Sequence, residues 1–420
     1  MTSSGPGLLT TVAVEGTHTS VTDTVGESTT PRPERPDAEA VLAAAEALVP
    51  ELIERSNEID HLRQLPQDLA EKMAAAGLYR MCAPTRVGGL NLGVRALCES
   101  VEALATGNGS AAWCAFISSS SHLNMAGATD TFRAAIEDQR GLILAGVFSS
   151  SGTAVATERD GVPGYVVNGH WRWGSGCHNA RWISGALTEI DHDGEPVADS
   201  TLTRVFLHPD EIDILDNWHV SGLRGTGSSD FVAEDRWVPA DRAIAGAAQR
   251  GFGEDPIFRF PLFGVLGSPT GAIAMGMAQA CLDEVATIAQ TKVPNSSRRT
   301  LAMRPQLHLD FARSQTELRA ARALFYSSID EVWSKALTGP AGLDDRVAVR
   351  TANSHAMATS VRVIDRMYSI AGGTSVYETS PLQRHFRDVH TASQHMMVAD
   401  SVMELAGRVM LGIDTEGIGL

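Results

Sequence analysis

The feature that most constrains this chain is the segregation of its periodicities. Apolar residues recur at three- and four-residue spacing from about residue 37 to 140. Between about 141 and 240 they give way to short β-branched and aromatic runs, and helical spacing returns from about 256 to the end. Strands gathered between two helical blocks do not follow the alternating strand–helix order of a doubly wound sheet. No GxGxxG opens a helix after a strand run, so a Rossmann-type dinucleotide site is not expected. The expected class is α+β: an N-terminal helical domain (37–140), a central β domain (141–240), a Gly/Ala-rich connector (241–255) and a C-terminal helical bundle (256–420). At 420 residues the chain exceeds the usual reach of one hydrophobic core, which agrees with several packed parts.

Local signals fill in the blocks. Residues 1–36 are rich in Thr, Ser, Gly and Pro, and a disordered tail is expected there. Asp37 reads as the N-cap of a helix through 38–60, with Pro50 a candidate break. Gly107, Asn108 and Gly109 mark a helix stop, and Ser110 can cap the helix that follows. In the β block, Asp160-Gly161 and Asn168-Gly169 both read as hairpin turns. Residues 391–411 read as a last helical segment.

Composition excludes some functions. A net charge of −16 argues against a nucleic-acid surface, which needs clustered Lys and Arg. The five cysteines are an odd number without a CxxC pair, so buried thiols in a reducing cytoplasm are expected, not disulfides or zinc. No continuous run of about 18 apolar residues occurs, so no membrane span is expected. A basic N-terminal region followed by an apolar core is also absent, so no secretory signal is read.

Three segments, VVNGHWRWGSGCHNARW (166–182), GLRGTGSSDFVAEDRWVP (222–239) and AGGTSVYETSPLQRHFRDVHTASQH (371–395), together resemble the acyl-CoA dehydrogenase superfamily. The resemblance implies its fold: a helical domain, a central β-barrel or sandwich and a C-terminal four-helix bundle. It also implies a flavin. In that family's dehydrogenases a Trp and a Thr occupy the places of Trp173 and Ser175, against the isoalloxazine and at its N5 edge. Strand alternation would put Trp173 and Ser175 on one face.

One departure discriminates within the family. Its dehydrogenases commonly carry a catalytic Glu eight residues after an Arg-Asp pair. Here the pair is Arg387-Asp388 and the matching residue is Met396, whose thioether cannot take a proton. Beside it stands His395, with His390 one turn earlier, and His122 lies on a distant helix. This pattern resembles the flavin-dependent monooxygenases built on the same fold. The resemblance implies reduced flavin (FADH2 or FMNH2) and O2 reacting through a C4a-hydroperoxide to hydroxylate an aromatic or polycyclic substrate.

The carried-over roles are Ser175 at N5, His395 at the peroxide or substrate oxygen, and His122 at a phenol. Trp113, Phe116, Asn124 and His390 would shape the substrate pocket, with His178 at its rim. Phe148, Ser149 and Ser150 would lie along the isoalloxazine. Arg298, Gln306, Gly372, Gly373 and Thr374 would hold the cofactor tail, the glycines by close backbone approach. The resemblance further implies a homotetramer and a separate NAD(P)H-dependent flavin reductase. A dehydrogenase with a displaced base, an amino-sugar N-oxygenase and a catalytically inert flavin-binding scaffold are the alternatives.

Overall fold

The computed structural model describes residues 36–136, 141–246, 251–295, 297–413 and 415. The expected tail lies outside these, Pro36 excepted.

The first block is helical: α1 (Ala38–Glu54), α2 (Ser56–Leu62), α3 (Gln67–Ala75), α4 (Gly93–Gly107), α5 (Gly109–Ser121) and α6 (Asp130–Ala135). Asp37 caps α1 by accepting the Ala40 N–H at 2.9 Å. Pro50 lies inside α1, and the break comes later, at Arg55. The cap of α5 is Asn108, which accepts from Ala111 N–H at 3.0 Å, whereas the hydroxyl of Ser110 is buried without a partner. Asn108 has the extended backbone a cap requires, and Ser110 is already within the helix.

The second block is one seven-stranded sheet in the order β5-β6-β2-β1-β3-β4-β7. Its strands are β1 (Leu144–Arg159), β2 (Val162–Trp171), β3 (Trp182–Ile190), β4 (Leu202–Leu207), β5 (Asp213–Ile214), β6 (Phe231–Pro239) and β7 (Ala243–Ala245). Asp160 and Gly161, with φ of 53° and 78°, form the two-residue turn between β1 and β2. Asn168-Gly169 is not a turn. It lies inside β2 at a bulge opposite β6. A Cβ at Gly169 would stand 2.4 Å from the Trp171 ring, as would one at Gly152, and one at Gly185 would stand 2.7 Å away. Three glycines on adjacent strands thus make the slot for the buried Trp171 indole, whose N–H donates to Ala186 O at 2.7 Å. β7 falls within the Gly/Ala-rich stretch and closes the sheet edge on β4.

The third block contains α7 (Pro256–Arg259), α8 (Leu262–Thr291), α9 (Pro305–Ala336), α10 (Leu343–Ala371), α11 (Pro381–Ala392) and α12 (Asp400–Met410). α8 packs against α10, α4 and α11, and α10 against α9. By length and mean hydropathy alone α8 could cross a membrane, although it holds no continuous apolar run of that length. Its interspersed Gly, Ser and Thr break the runs, and most of its apolar window is buried between neighbouring helices. Residues 391–411 are not one helix. α11 ends at Ala392, and an irregular turn carrying His395 in extended backbone separates it from α12.

Candidate active site

The three motifs meet at one place. After Trp171 the chain leaves β2, and Trp173 takes a left-handed backbone (φ 63°), its N–H held by Asp230 Oδ1 at 3.1 Å. Strand alternation therefore does not apply to Trp173 and Ser175. Trp173 presents its indole outward at 69% exposure, while Ser175 turns inward and is buried. A large aromatic fixed in a disfavoured conformation yet left uncovered suits a flat ligand laid against it.

Ser175 sits in a hydroxyl chain whose direction can be assigned. Thr226 Oγ1 donates to the Leu223 carbonyl at 2.8 Å, because a carbonyl only accepts. Ser228 therefore donates to Thr226 (2.6 Å), and Ser175 donates to Ser228 (2.6 Å). Trp113 Nε1–H donates to Ser175 Oγ at 3.2 Å. With its own proton committed, Ser175 Oγ has one acceptor position left. The loop that carries Thr226 and Ser228 is tied to the third motif. Asp388 Oδ1 accepts from Leu223 N–H at 2.6 Å, and a Cβ at Gly222 would meet the Arg387 carbonyl at 2.1 Å. Burial, reinforced by Asp60, raises the Asp388 carboxyl to about 7.

His395 joins through Trp113, ring centroids 5.5 Å apart and nearly perpendicular, and Phe116 meets Trp113 at 5.6 Å in the same manner. Burial, then the Arg350 cation, lowers the His395 pKa to about 4, so the ring is neutral near pH 7. Its Nδ1 faces the Met397 N–H at 3.4 Å and accepts, which leaves the ring proton on Nε2. Met396 is 67% exposed and turned outward.

Other expected residues lie elsewhere. His122 is buried at the end of α5, two and a half turns beyond Trp113 and so on the opposite side of that helix. Its Nδ1–H donates to Ser118 O at 2.9 Å, and its Nε2 lone pair is enclosed without a partner. Burial, with Arg80 nearby, lowers its pKa to about 4. No hydrogen bond or ring contact joins it to Ser175 or His395. His390 pairs with Asp365 at 2.9 Å across α10 and α11, and Asn124 donates to Ser184 Oγ at 3.0 Å. His178 bonds Ser229 Oγ at 3.0 Å, behind the hydroxyl chain.

Phe148, Ser149 and Ser150 occupy a bulge in β1 between Val147 and Gly152, with exposed side chains. Arg298 and Gln306 are exposed, Gln306 donating to Asp310 at 2.7 Å. Gly372 and Gly373 are exposed and open, so a ligand can approach their backbone. Beside them Lys292 donates to the Ala371 carbonyl and, at 2.5 Å, to Thr374 Oγ1. Sequence reasoning missed Lys292, although it is one of only three lysines. It also missed Ser228, Thr226, Phe263 and Arg350, which come close only through the fold.

Known proteins share this fold. The acyl-CoA dehydrogenase N-terminal domain model matches residues 35–149, and the C-terminal domain model matches 269–400, together more than half of the chain. The indole-3-acetate monooxygenase of Acinetobacter baumannii is 28% identical over 88% of this chain and 93% of its own length. The flavin-dependent monooxygenase oxygenase subunit HsaA of Mycobacterium tuberculosis is 28% identical over 86% of this chain and 92% of its own. Among solved structures, XiaF from Streptomyces sp., in complex with FADH2 and glycerol, superposes with a TM-score of 0.80 at 26% identity, over 90% of this chain and 96% of that one. The two domain matches, on this fold, show that the chain belongs to the acyl-CoA dehydrogenase family, and its full-length likeness within the relatives above is to flavin-dependent oxygenases.

Proposed function

We propose that this chain is the oxygenase component of a two-component system that hydroxylates an aromatic substrate with reduced flavin and O2. The observation that carries the reading is the polarity of Ser175. Reduced flavin bears a hydrogen on N5 and oxidised flavin does not, and a hydroxyl with only a lone pair to offer suits the reduced form. Exposed Trp173 and Phe148 and the open Gly372–Gly373 backbone fit a flavin's ring and tail, which Lys292, Arg298 and Gln306 would help to hold. When bound, the reduced flavin supplies the electrons that activate O2.

The chain's own residues do the rest. Ser175 would accept from the N5–H of a bound reduced flavin. His395, neutral with its proton on Nε2, donates toward oxygen, and Trp113 fixes the spacing between the two. Trp113 and Phe116 exclude water from that end of the site. His122 holds an unprotonated Nε2, but its position behind α5 makes it a support for the site wall. The relatives named for indole-3-acetate, p-hydroxyphenylacetate and resorcinol support an aromatic substrate. Electrons would come from a separate NAD(P)H-dependent flavin reductase, as the label of oxygenase component on the relatives implies. The open glycine turn fits assembly as a homotetramer, and five buried free thiols fit the cytoplasm.

The test mixes the protein with photoreduced FAD or FMN, O2 and a panel of phenols and indoles, and quantifies oxygenated product and H2O2. Product bearing one atom from 18O2 is expected. Flavin binding with all oxygen released as H2O2 across the panel would remove the reading.

A further inference from the structure

A buried positive charge without a counter-ion stands beside the site. Arg350, on α10, is 4% exposed. Its Nε has no hydrogen-bond partner, and among the described residues no carboxylate pairs with its guanidinium. The guanidinium lies 5.2 Å over the aromatic ring of Phe263 of α8. Phe263 meets Phe148 edge-on at 6.0 Å, and Arg204 of β4 lies 5.9 Å over Phe148. Arg204 also has no acidic partner among the described residues. Two arginines thus flank a pair of phenylalanines.

The His395 end of the site adjoins this group. A Cβ at Gly264 would lie 3.1 Å from Val349, so α8 and α10 approach closely at the base of Arg350. One turn on, a Cβ at Gly267 would lie 3.4 Å from Met397, two residues after His395. The charge of Arg350 is also felt at the His395 ring. Ser354, one turn along α10 from Arg350, carries a second buried polar group without a partner.

Enclosing an unpaired guanidinium is costly, and proteins seldom leave one without an acid. Burial pushes the pKa of both arginines down, with no acid acting against it. A planar, five-donor fork beside aromatic rings matches a ligand that joins a ring to a carboxylate. We propose that Arg350, seconded by Arg204, anchors the carboxylate of an aromatic acid whose ring lies toward Trp113 and His395. This rests on the hydroxylase reading and names its substrate class as aryl carboxylates.

The experiment compares matched pairs: 4-hydroxyphenylacetate with 4-ethylphenol, and indole-3-acetate with 3-methylindole. Binding is measured by calorimetry on the full chain loaded anaerobically with reduced flavin, and product formation is measured separately. At least one acid should bind about 10-fold or more tightly than its neutral partner. Arg350→Met should weaken that acid by about 30-fold and leave the neutral partner unchanged. Arg350→Lys should keep part of the preference, and Arg204→Met should lose less than Arg350→Met. If Arg350→Met does not fold, the Lys and Arg204 variants decide.

Equal affinity within both pairs, or binding by no acid, overturns the proposal. So does an Arg350→Met protein that keeps the preference while losing flavin affinity or subunit assembly, since the arginine would then serve the cofactor or a partner subunit. Preferential acid binding without any oxygenated product would sink the hydroxylase reading and leave the anion site standing.

Discussion

Trp113 donates its indole N–H to Ser175 Oγ across 3.2 Å, and that bond sits at the open end of a hydroxyl chain running through Ser228 and Thr226 to the Leu223 carbonyl. The carbonyl sets the direction of every proton in the chain, so Ser175 is an acceptor toward whatever meets it. Ser228→Ala deletes the acceptor of the Ser175 proton and frees it to point outward. The ratio of oxidised-flavin to reduced-flavin Kd should then fall by about 3- to 10-fold, the value of one neutral hydrogen bond. Anaerobic titration with reduced flavin, set beside titration with oxidised flavin, measures it. An unchanged ratio would detach the chain from redox preference.

Trp173 separates binding from folding. Its side chain is 69% exposed at φ 63°, so it adds little to the core and carries a conformational cost. Trp173→Gly removes that cost, about 1 kcal/mol, and should leave Tm level or slightly raised. Flavin affinity should drop by about 10-fold or more through the lost ring contact. A fall in Tm with affinity intact would show that Trp173 belongs to the fold alone.

Two buried histidines weaken the fold as pH falls, and the Asp388 carboxyl, raised to about 7 by burial, offsets about one of them in the same window. Burial lowers His122 to about 4 and His385 to about 3, from 6.5. Their folded pKa values lie below the unfolded one, so unfolding takes up protons. The stability they contribute is complete above about pH 6.5 and is lost as pH falls toward the folded values. Each adds up to about 1.4 kcal/mol per pH unit to the slope within that window. Urea denaturation at intervals between pH 7 and 4.5 should show the decline, and His385→Asn should make it shallower by about one such increment.

What could be read beforehand follows physical lines. The block order, the Asp37 cap and the Asp160-Gly161 turn rest on local chemistry, and the fold keeps them. Asn168-Gly169 carries the same turn chemistry but sits inside a strand. The need for glycine there comes from the Trp171 ring, which the dipeptide does not record. Among site residues, Trp113, Phe116, Ser175 and His395 came from motif resemblance and do meet. His122 came the same way, and the helical rotation from Trp113 carries it to the other side of α5. Ser228 and Arg350 were invisible because their meaning lies in partners 53 residues away and in a missing counter-ion.

The last contrast sets His395 against its neighbour Met396. His395 lies against Trp113 with its proton on Nε2, whereas Met396 projects outward at 67% exposure. His395→Gln keeps a hydrogen-bond donor but cannot exchange a proton, and product formation should fall by roughly 100-fold with H2O2 release rising in its place. The His395 pKa of about 4 adds a sign: activity that needs the neutral ring holds from pH 8 down to about 5 and declines only as pH approaches 4. Met396→Glu puts a carboxylate where the dehydrogenases commonly hold their base, yet the side chain there faces away from the site. It should change stability by less than about 0.5 kcal/mol, and no acyl-CoA should bleach the bound flavin. If Met396→Glu gained dehydrogenase activity, the residue would have to turn inward, and His395 would no longer be the group that decides the chemistry.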